Sequence, residues 1–114
     1  MANYNIKRIE RDIEKHIPTI IQRETTDELL KTLTITDCEL SHDMSYCKVY
    51  FTSTSALENK QIEKEANEAA PFIRGKLAKC MEIRNTPELH FVYDTSIEYA
   101  QNIENIINKL HEQE

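Results

Sequence analysis

Residues 66–94 read ANEAAPFIRGKLAKCMEIRNTPELHFVYD, and this one stretch holds a helix, a basic run, a proline corner and a strand. Ile73, Leu77, Cys80 and Met81 recur at helical spacing, with Arg74, Lys76, Lys79 and Arg84 between them, so one face packs and another is cationic. Pro71 has no N–H to bond back one turn, and its ring crowds the carbonyl of Asn67. A helix through Ala69-Ala70-Pro71 therefore bends or breaks, giving two helical pieces at an angle. Asn85-Thr86-Pro87 stops the second piece, because the residue before a proline is pushed out of the helical region. Leu89, Phe91 and Tyr93 then alternate with His90, Val92 and Asp94, the period of a strand with one buried face.

Upstream, Ile6, Ile9, Ile13, Ile17, Ile20 and Ile21 make an apolar stripe at steps of three and four, which predicts an amphipathic helix over residues 3–23. Lys7, Arg11 and Lys15 are four apart on its other side with Arg8 beside them, a cationic row that Glu10 and Glu14 partly neutralise. Pro18 is expected to kink or end the main helix. Thr25 to Lys31 reads as a polar connection with one helical turn begun at Thr25 or Thr26. Leu33 to Leu40 reads as a strand whose Leu33 and Ile35 are in one phase and Cys38 and Leu40 in the other, so a bulge near Thr36-Asp37 is required. Ser41 to Ser45 is a polar turn, and Tyr46 to Ser53 is a second strand with Cys47, Val49 and Phe51 on one face. Ser55 and Glu58 have capping-box spacing, placing a helix start near Ala56 that runs to the Pro71 kink. Thr95 and Glu98 repeat that spacing before a final amphipathic helix carrying Ile97, Ala100, Ile103, Ile106, Ile107 and Leu110.

The 114 residues make one domain, 1–114, with a single modest core. A three-stranded sheet with helices packed on one face buries all of these stripes, a two-layer α+β sandwich. No apolar run approaches the roughly 20 residues that span a bilayer, and no signal-peptide core opens the chain, so it reads as cytoplasmic with no membrane role. Cys38, Cys47 and Cys80 form no Cys-x-x-Cys pair and read as buried reduced thiols. The single glycine, Gly75, excludes a Gly-rich phosphate loop. His16, His42, His90 and His111 are scattered without metal-ligand spacing; His42-Asp43 reads as a solvated turn rather than an acid–base pair, and no Ser or Cys nucleophile has a local signature. No enzyme, cofactor or metal is expected.

The net charge is −6, which by itself argues against nucleic acid, but its distribution is polar. Residues 1–23 hold five Lys/Arg against three Asp/Glu and residues 72–84 hold four against one, while residues 24–71 hold four against ten and residues 85–114 one against six. Two cationic patches sit on an acidic body, a polarity that can orient a protein toward phosphate. Each patch fits two roles: a solvated helix face with i, i+4 pairs, or a phosphate-binding surface. Arg84 is equally placed to pair with Glu88 or Asp94. Phe51 reads as core, and Tyr46 or Tyr50, if exposed, is available to stack on a base.

The run Ala-Ala-Pro-Phe-Ile-Arg at 69–74, then Ile83-Arg84, Pro87-Glu88-Leu89, Phe91 and Asp94-Thr95-Ser96, resembles ribosome-binding factor A, the bacterial small-subunit maturation family. Leu33-Thr34-Ile35-Thr36-Asp37, Ser41-His42-Asp43-Met44-Ser45 and Lys48-Val49-Tyr50 look like its first strand, turn and second strand, so the likeness covers nearly the whole chain. One departure is Pro71, which stands where the family usually has the glycine of an Ala-x-Gly kink. The resemblance implies a type-II KH-like fold with a kinked helix pair in place of the Gly-x-x-Gly loop by which KH domains clamp single-stranded RNA. It also implies a monomeric, non-catalytic factor that binds the immature 30S subunit and its 16S rRNA and promotes late maturation and 5′-end processing. Growth at low temperature, association with free small subunits and release from the mature subunit belong to the same expectation. It favours phosphate contact for both patches, Lys7, Arg8, Arg11 and Lys15 in one and Arg74, Lys76, Lys79 and Arg84 in the other. The competing reading is a protein-interaction or oligomerising adaptor that uses the acidic faces and an exposed sheet edge.

Overall fold

A computed structural model describes residues 2–81 and 85–112. The elements run α1 (Ala2–Glu24), a 3-10 turn (Leu30–Thr32), β1 (Leu33–Leu40), β2 (Tyr46–Ser53), α2 (Asn59–Glu68), α3 (Ala70–Cys80), β3 (Glu88–Tyr93) and α4 (Ser96–Glu112). The sheet order is β1-β2-β3, with β1 and β2 antiparallel and β3 parallel to β2. A parallel neighbour requires a crossover, and the α2–α3 pair supplies it. This is the α+β, KH-like architecture that the resemblance implies, with α1, α2 and α3 layered on one face of the sheet.

The strand phases explain the layer. Leu33 pairs with Ser53 and Ile35 with Phe51, but Asp37 is opposite Tyr50, so Thr36 is the extra residue of a bulge. Without it Cys38 and Leu40 would point away from the core. With it they are buried beside Cys47, Val49, Phe51, Leu89 and Phe91, against Ile13, Ile17, Ile62, Ile73 and Leu77 from the helices. Phe51 stands edge-on to both Phe91 and Tyr93 at 6.3 and 5.4 Å between ring centres. The bulge has a second use: the Thr36 hydroxyl reaches across the sheet and donates to Asp94 Oδ2 at 2.6 Å.

Both outer edges of the sheet are met by side chains from the helices. Asn67 of α2 accepts from the Phe91 N–H at 2.7 Å and donates to the Phe91 carbonyl at 2.9 Å, as a neighbouring strand would. Glu63 accepts from the Tyr93 N–H at 3.0 Å, and Glu10 of α1 accepts from the Leu40 N–H at 2.7 Å. These contacts satisfy backbone groups that would otherwise template pairing with another chain. They cover Phe91 and Tyr93 on the β3 edge and Leu40 on the β1 edge.

Two helix boundaries and two packing expectations are corrected. α1 itself covers the span that the isoleucine stripe predicts over 3–23 and runs on past Pro18 to Glu24, so the proline does not end it. The proline is on the exposed side, while Ile17, Ile20 and Ile21 around it are at most 3 % exposed. α2 begins at Asn59 rather than near Ala56, because the Ser55 hydroxyl closes a turn on the Leu57 N–H at 3.2 Å and Glu58 makes no side-chain cap. In the α1–β1 connection the helical turn starts from Asp27, whose carboxylate accepts the Leu29 and Leu30 N–H groups. Cys80 is exposed, unlike Cys38 and Cys47. A hydrogen bond with Cys47 and burial push the Cys38 thiol far up, so it stays protonated. Finally, the apolar stripe of α4 is not buried: Tyr99, Ile103, Ile106, Ile107 and Leu110 are all exposed.

The break at Pro71 is as the sequence requires. Ala69, at φ −85° and ψ −9°, ends α2 and opens α3. Pro71 falls in the first turn of α3, where its missing N–H costs no helical bond. No helix among the described residues is long and apolar enough to cross a membrane.

Candidate nucleic-acid interface

The cationic row on α1 is exposed along Lys7, Arg8, Arg11 and Lys15. It borders an open concavity of about 630 Å³ that Asp12, Glu14 and Ile35 of β1 also line. The pairing expected with Glu10 does not form, because that carboxylate is turned onto the Leu40 N–H. Among the described residues the one ion pair is Lys76 Nζ to Glu24 Oε2 at 3.4 Å. The four cations of the row are therefore available to an anion from solution.

An α-helix turns about 100° per residue, so each step of four carries a row about 40° around the axis. Lys7, Arg11 and Lys15 begin such a row, and Thr19 and Arg23 continue it, winding it from the β1 side of α1 toward α3. There Thr19, Ile20, Arg23 and Glu24 of α1 meet Lys76, Lys79 and Cys80 of α3 around a second concavity of about 370 Å³. Arg23 thus belongs with Lys76 and Lys79 at the second concavity, which shares no lining residue with the first. Arg23 is not among the candidate residues read from the sequence, although the i, i+4 rule that selects Lys15 reaches it in two further steps.

The second patch divides. Lys79 is exposed, and Lys76 is shared between Glu24 and the ring of Phe72, 5.6 Å from its centroid. Arg74 is elsewhere: its Nε and Nη2 both donate to the Thr86 carbonyl, at 3.2 and 2.9 Å, tying α3 to the corner before β3. Its first role is structural. Arg84, with its suggested pairing to Glu88 or Asp94, lies outside the described residues.

On the open face of the sheet Tyr46 is exposed but stacked on His90, 6.0 Å between ring centres. Tyr50 is half-buried and donates to Glu39 at 3.2 Å; burial first, then Glu39, pushes its hydroxyl pKa up. Glu39 and Glu88 flank these rings and Lys48 stands between them on the same face, so its charge is mixed. His42 and Asp43 are exposed in the turn, and Asp43 is held down to about 2 by the Ser41 and Ser45 hydroxyls and the Ser45 N–H. Among the described residues no group of three His, Cys, Asp or Glu comes together as a metal site. Between α2 and α3, where a KH domain places its Gly-x-x-Gly clamp, there is only Ala69. What the arrangement offers is a cationic surface that can read phosphate positions and shape.

The model of the family Ribosome-binding factor A matches residues 5–107. The chain belongs to this family. Among its relatives, ribosome-binding factor A of Staphylococcus epidermidis is 37 % identical over 114 residues, covering 97 % of each chain. That of Francisella philomiragia is 35 % identical over 108 residues, 95 % of this chain and 76 % of the relative. The solution structure of a Thermotoga maritima protein superposes with a TM-score of 0.68 at 28 % identity, over 83 % of this chain and 92 % of that one. The crystal structure of ribosome-binding factor A from Thermus thermophilus shares the fold, with a TM-score of 0.68 at 24 % identity over 77 % and 94 % of the chains. A homology model of the Thermus thermophilus factor, fitted into a cryo-EM map of a complex with 30S, shares it too, with a TM-score of 0.64 at 24 % identity over 77 % and 93 %.

Proposed function

We propose that this protein is a small-subunit assembly factor: it binds the immature 30S particle as a monomer in the cytoplasm and promotes late maturation of 16S rRNA, including its 5′-end processing, without catalysing any step itself. The observation that carries this reading is the pair of exposed cationic patches, Lys7 to Lys15 on α1 and Arg23 with Lys76 and Lys79 between α1 and α3, on a family member whose fold lacks the KH clamp. The Thermus thermophilus relative fitted into a 30S complex supports the choice of particle. A rigid wedge of this kind acts by binding one rRNA arrangement better than others, and so shifts its population. Phosphate contacts fix the position of the protein, and shape supplies the selectivity. Release from the mature subunit follows once that arrangement is no longer offered, and the benefit is greatest in the cold, where misfolded rRNA escapes slowly.

Co-sedimentation with isolated small subunits, whole ribosomes and naked 16S rRNA at two salt concentrations tests the reading. The expected result is salt-sensitive co-migration with small subunits, weakened at least about tenfold by Lys76→Glu together with Lys79→Glu. Arg23→Glu is expected to act in the same direction. Absence of co-migration at either salt, from folded protein, rejects the proposal.

A further inference from the structure

We propose that α4 is a docking helix for a basic protein surface. Resting on the assembly-factor reading, we take its partner to be a ribosomal protein of the small subunit and not rRNA. Tyr99, Ile103, Ile106, Ile107 and Leu110 are 68, 39, 51, 47 and 60 % exposed. At steps of one, three and four they form one stripe along a helix of 17 residues, about 25 Å long. The domain core is complete without them. An apolar stripe left open on a helix that packs extensively against no other element marks an interaction surface.

Charge selects the occupant. Along Ser96–Glu112 the polar positions carry Glu98, Glu104 and Glu112 against Lys109. Such a helix repels phosphate, so RNA is a poor occupant. A second copy is disfavoured too, because it would bring flanks of the same net negative charge. A groove with an apolar floor and a Lys/Arg rim complements both the stripe and its flanks, the helix-in-groove mode. The cationic surface is on α1 and α3, separate elements from α4. Both surfaces can therefore be engaged on one particle, and each raises the effective concentration of the other.

The test places the photo-crosslinker benzoylphenylalanine at position 106 of the full chain and irradiates it with isolated small subunits. In parallel, the variant Ile106→Glu with Leu110→Glu is titrated against intact subunits and against naked 16S rRNA. Because both residues are exposed, the variant keeps its fold, checked by its unfolding midpoint. The expected crosslink is to one ribosomal protein with an excess of Lys and Arg. The variant is expected to bind intact subunits at least about tenfold more weakly, while its affinity for naked rRNA stays within about twofold. A crosslink to rRNA, a crosslink to a second copy, or undiminished binding of the variant to intact subunits overturns the proposal and leaves the assembly-factor reading standing. Failure of the unaltered chain to bind subunits at all overturns both.

Discussion

Asp43 and Asp94 are surface carboxylates whose surroundings are built for the charged form. Asp43 accepts from the Ser41 and Ser45 hydroxyls at 2.7 and 2.8 Å and the Ser45 N–H at 3.1 Å, which hold it at about 2 against an ordinary 3.8. Asp94 is lowered by Ser96, whose N–H donates at 2.9 Å, and by the Thr36 hydroxyl at 2.6 Å. The folded chain therefore holds these protons less tightly than the unfolded chain. Their contribution is fully present above about pH 5 and is lost as pH falls below that, toward about 2 for Asp43. The urea midpoint is expected to be insensitive to these two groups between about pH 7 and about pH 5 and to decline below about pH 5. Asp43→Asn with Asp94→Asn should flatten that decline, and an unchanged slope in the double variant would show that other carboxylates govern it. The same residues mark a limit of reading by sequence. Ser41 to Ser45 is legible as a turn, yet nothing local tells that Thr36, 58 positions away, binds Asp94.

Among the elements, the two prolines in helical sequence show why local rules decide one case and not another. Pro71 sits in the first turn of α3, where no helical N–H is lost, and the break is written in the chain. Pro18 costs about 3 kcal/mol inside a helix. Burial of Ile17, Ile20 and Ile21 around it stabilises by about 1.5–3 kcal/mol each, so the continuous helix wins. The isoleucine spacing shows that a helix over 3–23 has an apolar face, and what α1 packs against decides that this face outweighs the proline. Gly75 is the converse case. It lies exposed in α3 without a positive φ, and a Cβ there would meet nothing within 4 Å. Gly75→Ala should raise the unfolding free energy by about 0.5–1 kcal/mol, by cutting the freedom of the unfolded chain and favouring the helix. A fall in the urea midpoint would mean that α3 needs a backbone freedom that these contacts do not reveal.

At the scale of the whole molecule, the extents of 59 × 39 × 18 Å and a radius of gyration of 16.8 Å exceed the roughly 13 Å of a compact chain this long. The long dimension follows from α4 standing off the body. Among the described residues, deleting 95–114 removes the Ser96 contact to Asp94 and no core side chain. The truncated chain should still unfold cooperatively, with a loss of no more than about 0.5–1.5 kcal/mol in denaturant titration; a non-cooperative transition would make α4 part of the fold. By itself the sequence determined the element order, the bulge at Thr36, the break at Pro71 and the inward face of every strand. Those follow from side-chain period and from the chemistry of single residues, which are local. Only the tertiary structure decided that Pro18 does not end α1, that Arg23 stands with Lys76 and Lys79, that Arg74 is turned to Thr86, and that the stripe of α4 stays open. Each of these depends on which surface another element covers, and periodicity shows that a face is apolar or charged without showing what lies against it.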